Sequence, residues 1–195
     1  MATLRTFIAV DLSAELRAGL GELQDRLRGE VGSRSVRWVQ PQGIHLTLKF
    51  LGDTPQGQVD EVQSALARAA AAVEPFTISA GGVGCFPNAR QPRVVWVGLE
   101  EVTGALLRLR NAVEAEVAPL GFPTEKRAFQ PHLTLGRVQR DASPGDVRRV
   151  GQVVAATTTG SLGEMAVSEV SYIKSDLRPA GAVYTTLLEA PLGRG

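Results

Sequence analysis

The chain has 195 residues, 44% of them hydrophobic, with 21 Lys+Arg against 20 Asp+Glu and a formal net charge of +1. That is enough to bury a sizeable core, and the charge balance excludes a polybasic tail, an acidic solvating protein and most disordered classes. It leaves open a short nucleic acid in a local basic cleft. The single Cys85 can form neither an internal disulfide nor a cysteine-based zinc site. No apolar run approaches the ~20 residues of a membrane span. The N-terminal apolar stretch ends at Asp11, too early for a secretory signal. A soluble cytoplasmic protein is expected. With no strong exposed apolar stripe to suggest association, it is expected to be a monomer.

Residues 5–11 read as a short buried strand. A helix over 13–29 follows, with Leu16, Leu20, Leu23 and Leu27 at helical spacing and Ser13 as N-cap. Residues 36–39 and 44–51 read as strands, and 56–73 as an Ala-rich helix with Pro55 near its first turn. Strands at 76–83 and 93–99 flank a Gly/Pro/Asn-rich loop from Gly84 to Pro92. A helix over about 101–118 carries Leu106, Leu109, Val113 and Val117 on one stripe. Then come a strand at 131–138, a weaker helix near 144–156, and strands near 163–173 and 182–190. Many sequential neighbours are strand–strand pairs, which points to mixed α/β or α+β layers and not to a doubly wound parallel sheet. No dinucleotide fingerprint or Walker sequence is present.

The two histidines of the chain, His45 and His132, both open the tetrapeptide His-Leu-Thr-Leu, and they lie 87 residues apart. The same offset carries the first strand onto 93–99 and the helix at 13–29 onto the next helix. It also carries Phe76 close to the start of a late strand. This is an internal repeat. Two related lobes are expected, each bringing one histidine strand to a shared cleft, and 1–195 is read as a single bilobal domain.

In a strand, residues i and i+2 share a face. Each copy therefore presents His and Thr on one side, His45 with Thr47 and His132 with Thr134, and buries its leucines on the other. An imidazole takes or gives a proton near neutral pH, so a facing pair can divide the roles of base and acid. A Thr hydroxyl beside it can hydrogen-bond a phosphate oxygen. Arg137 adds a bidentate phosphate contact, but it stands five residues past His132, as Phe50 does past His45. Strict alternation puts both on the wrong face. Either the strand ends or bulges near Gly136, or twist and a long side chain bring Arg137 round. A zinc site is the second reading of the histidines, but neither motif holds a carboxylate.

These residues resemble the 2H phosphoesterase superfamily, and within it the RNA 2′,3′-cyclic phosphodiesterases, also called 2′-5′ RNA ligases. The resemblance runs from Arg5-Thr6-Phe7-Ile8-Ala9 through Trp38-Val39 and the first motif to Pro92-Arg93-Val94-Val95-Trp96. It continues through Phe129-Gln-Pro and the second motif to Tyr172, Gly181 and Tyr184. It implies an α+β, bilobal fold: two pseudo-symmetric lobes of antiparallel sheet with flanking helices around a central groove. It implies hydrolysis of an RNA 2′,3′-cyclic phosphate to a 2′-phosphate without metal or other cofactor. His45 and His132 would be the acid–base pair, in an order the sequence leaves open, with Thr47 and Thr134 as phosphate ligands. A 5′-hydroxyl in place of water would form a 2′-5′ linkage without ATP. Phe86, in the loop after residue 83, Phe50 and Phe129 are candidates for base stacking. Arg90, Arg93 and Arg127 are candidates for steering the RNA backbone. Trp38 and Trp96 are read as core. The competing function is a module that binds RNA ends in the same cleft without turnover.

Overall fold

The strand β1 (Thr3–Val10) leads into α1 (Ala14–Val31) through Ser13, whose hydroxyl accepts the Leu16 N–H at 3.2 Å. That bond satisfies one of the open donors at the helix start. α1 buries Leu16, Leu20, Leu23 and Leu27, the stripe its spacing predicts, each burial contributing about 1.5–3 kcal/mol. The chain continues through β2 (Val36–Trp38), a 3-10 turn at Pro41–Gly43, β3 (Leu46–Pro55), α2 (Val59–Ala71), β4 (Phe76–Phe86) and β5 (Val94–Glu100). Then come α3 (Ala105–Val117), β6 (His132–Val138), α4 (Pro144–Ala156), β7 (Ser161–Val167), β8 (Glu169–Arg178) and β9 (Gly181–Pro191). This computed structural model describes residues 2–32, 34–178 and 181–193.

Three sequence expectations change. α2 begins at Val59, because Pro55 closes β3 and residues 56–58 form a 3-10 turn. β4 runs on to Phe86, so Phe86 ends a strand and does not sit in a loop. The strand expected over 163–173 is two strands, β7 and β8, broken at Ser168 and held in different sheets. A continuous apolar pattern does not mark where a chain leaves one sheet for another.

Two antiparallel sheets form, in the orders β3-β1-β8-β9 and β2-β6-β5-β4-β7. α2 and α3 pack on the first, α1 and α4 on the second. The fold is therefore α+β and bilobal, but the lobes are not the two halves of the sequence. Each half contributes strands to both sheets and one helix to each lobe.

The 87-residue offset survives at the level of register. Ala9 pairs with Thr47 and with Ser171; 87 residues on, Trp96 pairs with Thr134, and Gly84 stands where Ser171 stands in the first sheet. The repeat partner of β4 is thus β8; β7 flanks β4 as β9 flanks β8, and β2 is the edge strand without a counterpart. One of the two irregularities in the β1–β3 ladder repeats too. β1 skips Leu48 between Ile8↔Lys49 and Ala9↔Thr47, and β5 skips Leu135 between Val95↔Gly136 and Trp96↔Thr134. One bulge follows each histidine motif at the same place.

The loop after β4 packs closely under α4. A Cβ on Gly151 would lie 1.8 Å from the Ala89 carbonyl oxygen, whereas Gly29 in α1 faces open space. Gly151→Ala is expected to lower stability by about 1–3 kcal/mol through overpacking. Gly29→Ala is expected to raise it by about 0.5–1 kcal/mol. Urea denaturation midpoints check both, and equal shifts would contradict the packing described.

Candidate active site

His45 stands immediately before β3 and His132 opens β6. Each ring is held by the carbonyl two residues before it: Nδ1 of His45 lies 2.9 Å from Gly43 O, and Nδ1 of His132 lies 2.7 Å from Gln130 O. A carbonyl oxygen only accepts, so Nδ1 carries the proton in both rings. Nε2 is then the nitrogen left to exchange a proton with another molecule, and the two copies are oriented alike.

The bulges resolve the placement of Arg137. Thr134 pairs with Trp96 and Arg137 with Val94; Trp96 and Val94 are two apart in one strand, so all four share a face. Leu135 and Gly136, both buried, absorb the extra residue. In the other sheet Thr47 pairs with Ala9 and Phe50 with Phe7, and Leu48 and Lys49 are the buried pair. Arg137 therefore joins His132 and Thr134, and Phe50 joins His45 and Thr47. The expectation of a bulge near Gly136 is met one residue earlier in the ladder.

The two faces differ in what surrounds the ring. Phe7 stacks on His45 with centroids 4.6 Å apart and planes 25° apart, and Tyr184 from β9 meets it edge-on at 5.3 Å. Phe50, 65% exposed, lies 6.0 Å from Phe7. Phe86 meets His132 edge-on at 4.9 Å and packs against Trp96 at 5.1 Å. Trp96 is half-buried on this face and is not a core residue. Gly84 opposite it has no room for a Cβ, which would fall 2.4 Å from the indole ring. Burial pushes the Tyr184 phenol up, while the charges of Arg137 and Arg5 pull it down. Arg137 of one sheet is therefore near enough to Tyr184 of the other for its charge to act on the phenol.

Charged side chains brace the approach to each histidine. Arg17 donates to the carbonyls of Pro41, Gln42 and Ile44, and pairs with Asp11 at 3.2 Å. It fixes the turn that presents Gly43 O to His45. Gln24, buried in α1, donates at 2.8 Å to Val39 O and at 2.8 Å to Leu135 O, the carbonyl of the bulged residue. Glu114 of α3 is buried between Lys49 at 2.8 Å and Arg110 at 3.1 Å, and it accepts the Glu125 N–H. Lys49 also donates to Pro123 O. This cluster ties the segment before His132 to the strand that carries His45. Arg110 also lies over Phe129, 5.8 Å from its centroid. Arg127 is exposed, and its backbone N–H donates to the Glu125 carboxylate.

Sequence reasoning did not assign Phe7, Tyr184, Arg17, Gln24 or Glu114 a part in this arrangement. Only pairing between distant strands brings them here, and nothing in local spacing signals it. Among the described residues, no three His, Cys, Asp or Glu side chains gather as metal ligands would. No helix there is long and apolar enough to cross a membrane.

Comparison with known proteins gives the class to which this paired-histidine, two-sheet arrangement belongs. The LigT-like phosphoesterase model matches twice, over residues 10–96 and 97–184, the two matches starting 87 residues apart. An RNA 2′,3′-cyclic phosphodiesterase of Methanothermobacter thermautotrophicus is 36% identical, over 94% of this chain and 96% of its own. A crystal structure of a Thermus thermophilus protein aligns with a TM-score of 0.80 and 31% identity, covering 97% of this chain and 98% of that one. Escherichia coli LigT complexed with 3′-AMP aligns with a TM-score of 0.72 and 29% identity, covering 97% and 98%. The chain belongs to the LigT-like phosphoesterase family, of the 2H group that its motifs resemble.

Burial under Phe7 and Tyr184 lowers the His45 pKa below 6.5, because desolvation disfavours the charged ring. The Gly43 hydrogen bond and Asp11 oppose this, and Arg17 adds to it. Tyr184→Ala opens the ring to water and is expected to raise the His45 pKa. Asp11→Asn removes a stabilising anion and is expected to lower it further. NMR titration of the ring resonances reads both signs, and a fall in Tyr184→Ala would contradict the burial cause.

Proposed function

We propose that the chain hydrolyses 2′,3′-cyclic phosphate ends of RNA to 2′-phosphates, using His45 and His132 as a metal-independent acid–base pair. The observation that carries this is the matched geometry of the two motifs. Each presents an Nε2 and a Thr hydroxyl on one face, each with its Nδ1 proton held by a backbone carbonyl. Family membership and the cyclic phosphodiesterase relatives support it, as does the 3′-AMP complex of the E. coli protein, a ribonucleotide monophosphate.

A water molecule attacks phosphorus and gives its proton to one imidazole. The P–O3′ bond breaks, and the departing O3′ takes a proton from the other imidazole, leaving a 2′-phosphate. Packing under Phe7 and Tyr184 disfavours the charged form of His45, so we assign it the water proton and assign His132 the proton for O3′. Thr47, Thr134 and Arg137 bind the phosphoryl oxygens, where charge grows as water adds. The strained ring carries the activation that a metal or ATP would otherwise supply. With a 5′-hydroxyl in place of water, the same bond changes yield a 2′-5′ linkage. Phe50 and Phe86 supply aromatic surface for the terminal base and sugar, and Arg127 steers the RNA backbone. We take the working form to be a monomer in the cytoplasm.

³¹P NMR on a cyclic-phosphate-ended oligonucleotide in excess EDTA tests the reading. The expected product is the 2′-monophosphate. His45→Ala and His132→Ala are each expected to lower kcat about 10²–10⁴-fold, and Thr47→Ala and Thr134→Ala about 10–100-fold. Tight binding of the oligonucleotide with no turnover would instead identify an RNA-end binding module.

A further inference from the structure

Arg37 of β2 and Arg137 of β6 are directly paired across an antiparallel ladder. Paired residues point to the same face, so Arg37 lies on the face that carries His132, Thr134 and Arg137. Both are exposed. Among the described residues, neither guanidinium has a carboxylate within 4.0 Å. Like charges directly opposite in a sheet are destabilising. A lone cation on an edge strand would serve solubility, but that need would not place it opposite a second cation.

The other sheet makes the contrast. The repeat partner of Arg137 is Phe50, whose ladder partner is Phe7. On the same strand pair Arg5 faces Asp53, an opposite charge. The position after the bulge is thus aromatic in one sheet, where Phe50 lies beside Phe7, and cationic in the other, where Arg137 pairs with Arg37 and the aromatic rings, Phe86 and Trp96, lie beside His132 and Thr134. A mononucleotide cyclic phosphate has one phosphoryl group, which the two threonines and Arg137 already serve. A second cation, further along the same face, suits a second phosphate.

We infer that Arg37 binds a phosphodiester of an RNA strand next to the terminal cyclic phosphate, so that the site favours RNA ends over free cyclic nucleotides. This rests on the proposed binding of the cyclic phosphate by the two histidine motifs. Arg37 touches no reacting atom; it is a binding residue for strand substrates. The Arg37–Arg137 repulsion is relieved when the phosphodiester lies between them.

The test compares Arg37→Gln and Arg37→Lys with the unaltered chain on two substrates, a cyclic-phosphate-ended oligonucleotide and a 2′,3′-cyclic mononucleotide. Arg37→Gln is expected to lower kcat/KM on the oligonucleotide about tenfold through KM, and to leave the mononucleotide within about twofold. The slope of log affinity against log salt for the oligonucleotide should become shallower by about 0.7, one phosphate contact on a single strand. Arg37→Lys should recover most of the loss. Arg37→Gln should melt at the same temperature as the unaltered chain or higher, since it removes a repulsion. Equal losses on both substrates, or no loss on the oligonucleotide, would overturn the inference. Binding of a 3′-phosphorylated oligonucleotide against 3′-AMP gives the same comparison without turnover. If the unaltered chain turns over neither substrate, the hydrolytic reading fails, and this binding arm still decides the role of Arg37.

Discussion

The site depends on one extra residue in each of two strands. Without the bulges at Leu48 and Leu135, alternation would send Phe50 and Arg137 to the core side and leave two bare His-Thr pairs. With them, each motif strand changes phase after its threonine and presents a third side chain on the same face. The unpaired position must still satisfy its backbone groups. At Leu135 the carbonyl accepts from both the Val39 N–H at 2.9 Å and Gln24 Nε2. The bulge is therefore held from two elements and is a built feature of the sheet.

Around that repeated device the two halves diverge, and the divergence makes chemistry out of symmetry. The position after the bulge is aromatic in one sheet and cationic in the other. His45 is packed under Phe7 and Tyr184, whereas His132 meets Phe86 edge-on. The braces differ as well. A cation, Arg17, gathers the carbonyls ahead of His45, and a buried anion, Glu114, gathers Lys49, Arg110 and a backbone N–H ahead of His132. Loss of one partner from such a buried cluster leaves an uncompensated charge and costs about 3–5 kcal/mol. Its use here is geometric: the approach to one histidine is tied to the strand of the other.

Much of this was legible in the sequence. The paired tetrapeptides, the 87-residue offset, the leucine stripes of α1 and α3 and the need for a bulge all follow from local pattern. So does the family, through those same residues. The interlacing was not legible, because β4 and β8 carry the same strand-like pattern whichever sheet receives them. Phe86 was misplaced because the Gly/Pro/Asn-rich run from Gly84 to Pro92 reads as loop, although here Gly84 makes room for the Trp96 ring within a strand. Trp96 looked like core because its alternation could not show which face meets a helix. Arg17, Gln24 and Glu114 act on carbonyls and cations far away in sequence, and no spacing rule reports such contacts.

The central claim is that two oppositely protonated imidazoles, one from each sheet, act together on one phosphate. The pH dependence of kcat/KM on cyclic-phosphate-ended RNA tests it most directly. A divided acid–base pair requires a bell-shaped profile. Its acid limb belongs to His45 and lies below the ordinary histidine value of about 6.5, because burial disfavours the charged ring. A profile flat between about pH 5 and 8, the range in which histidines titrate, would contradict the two-histidine mechanism.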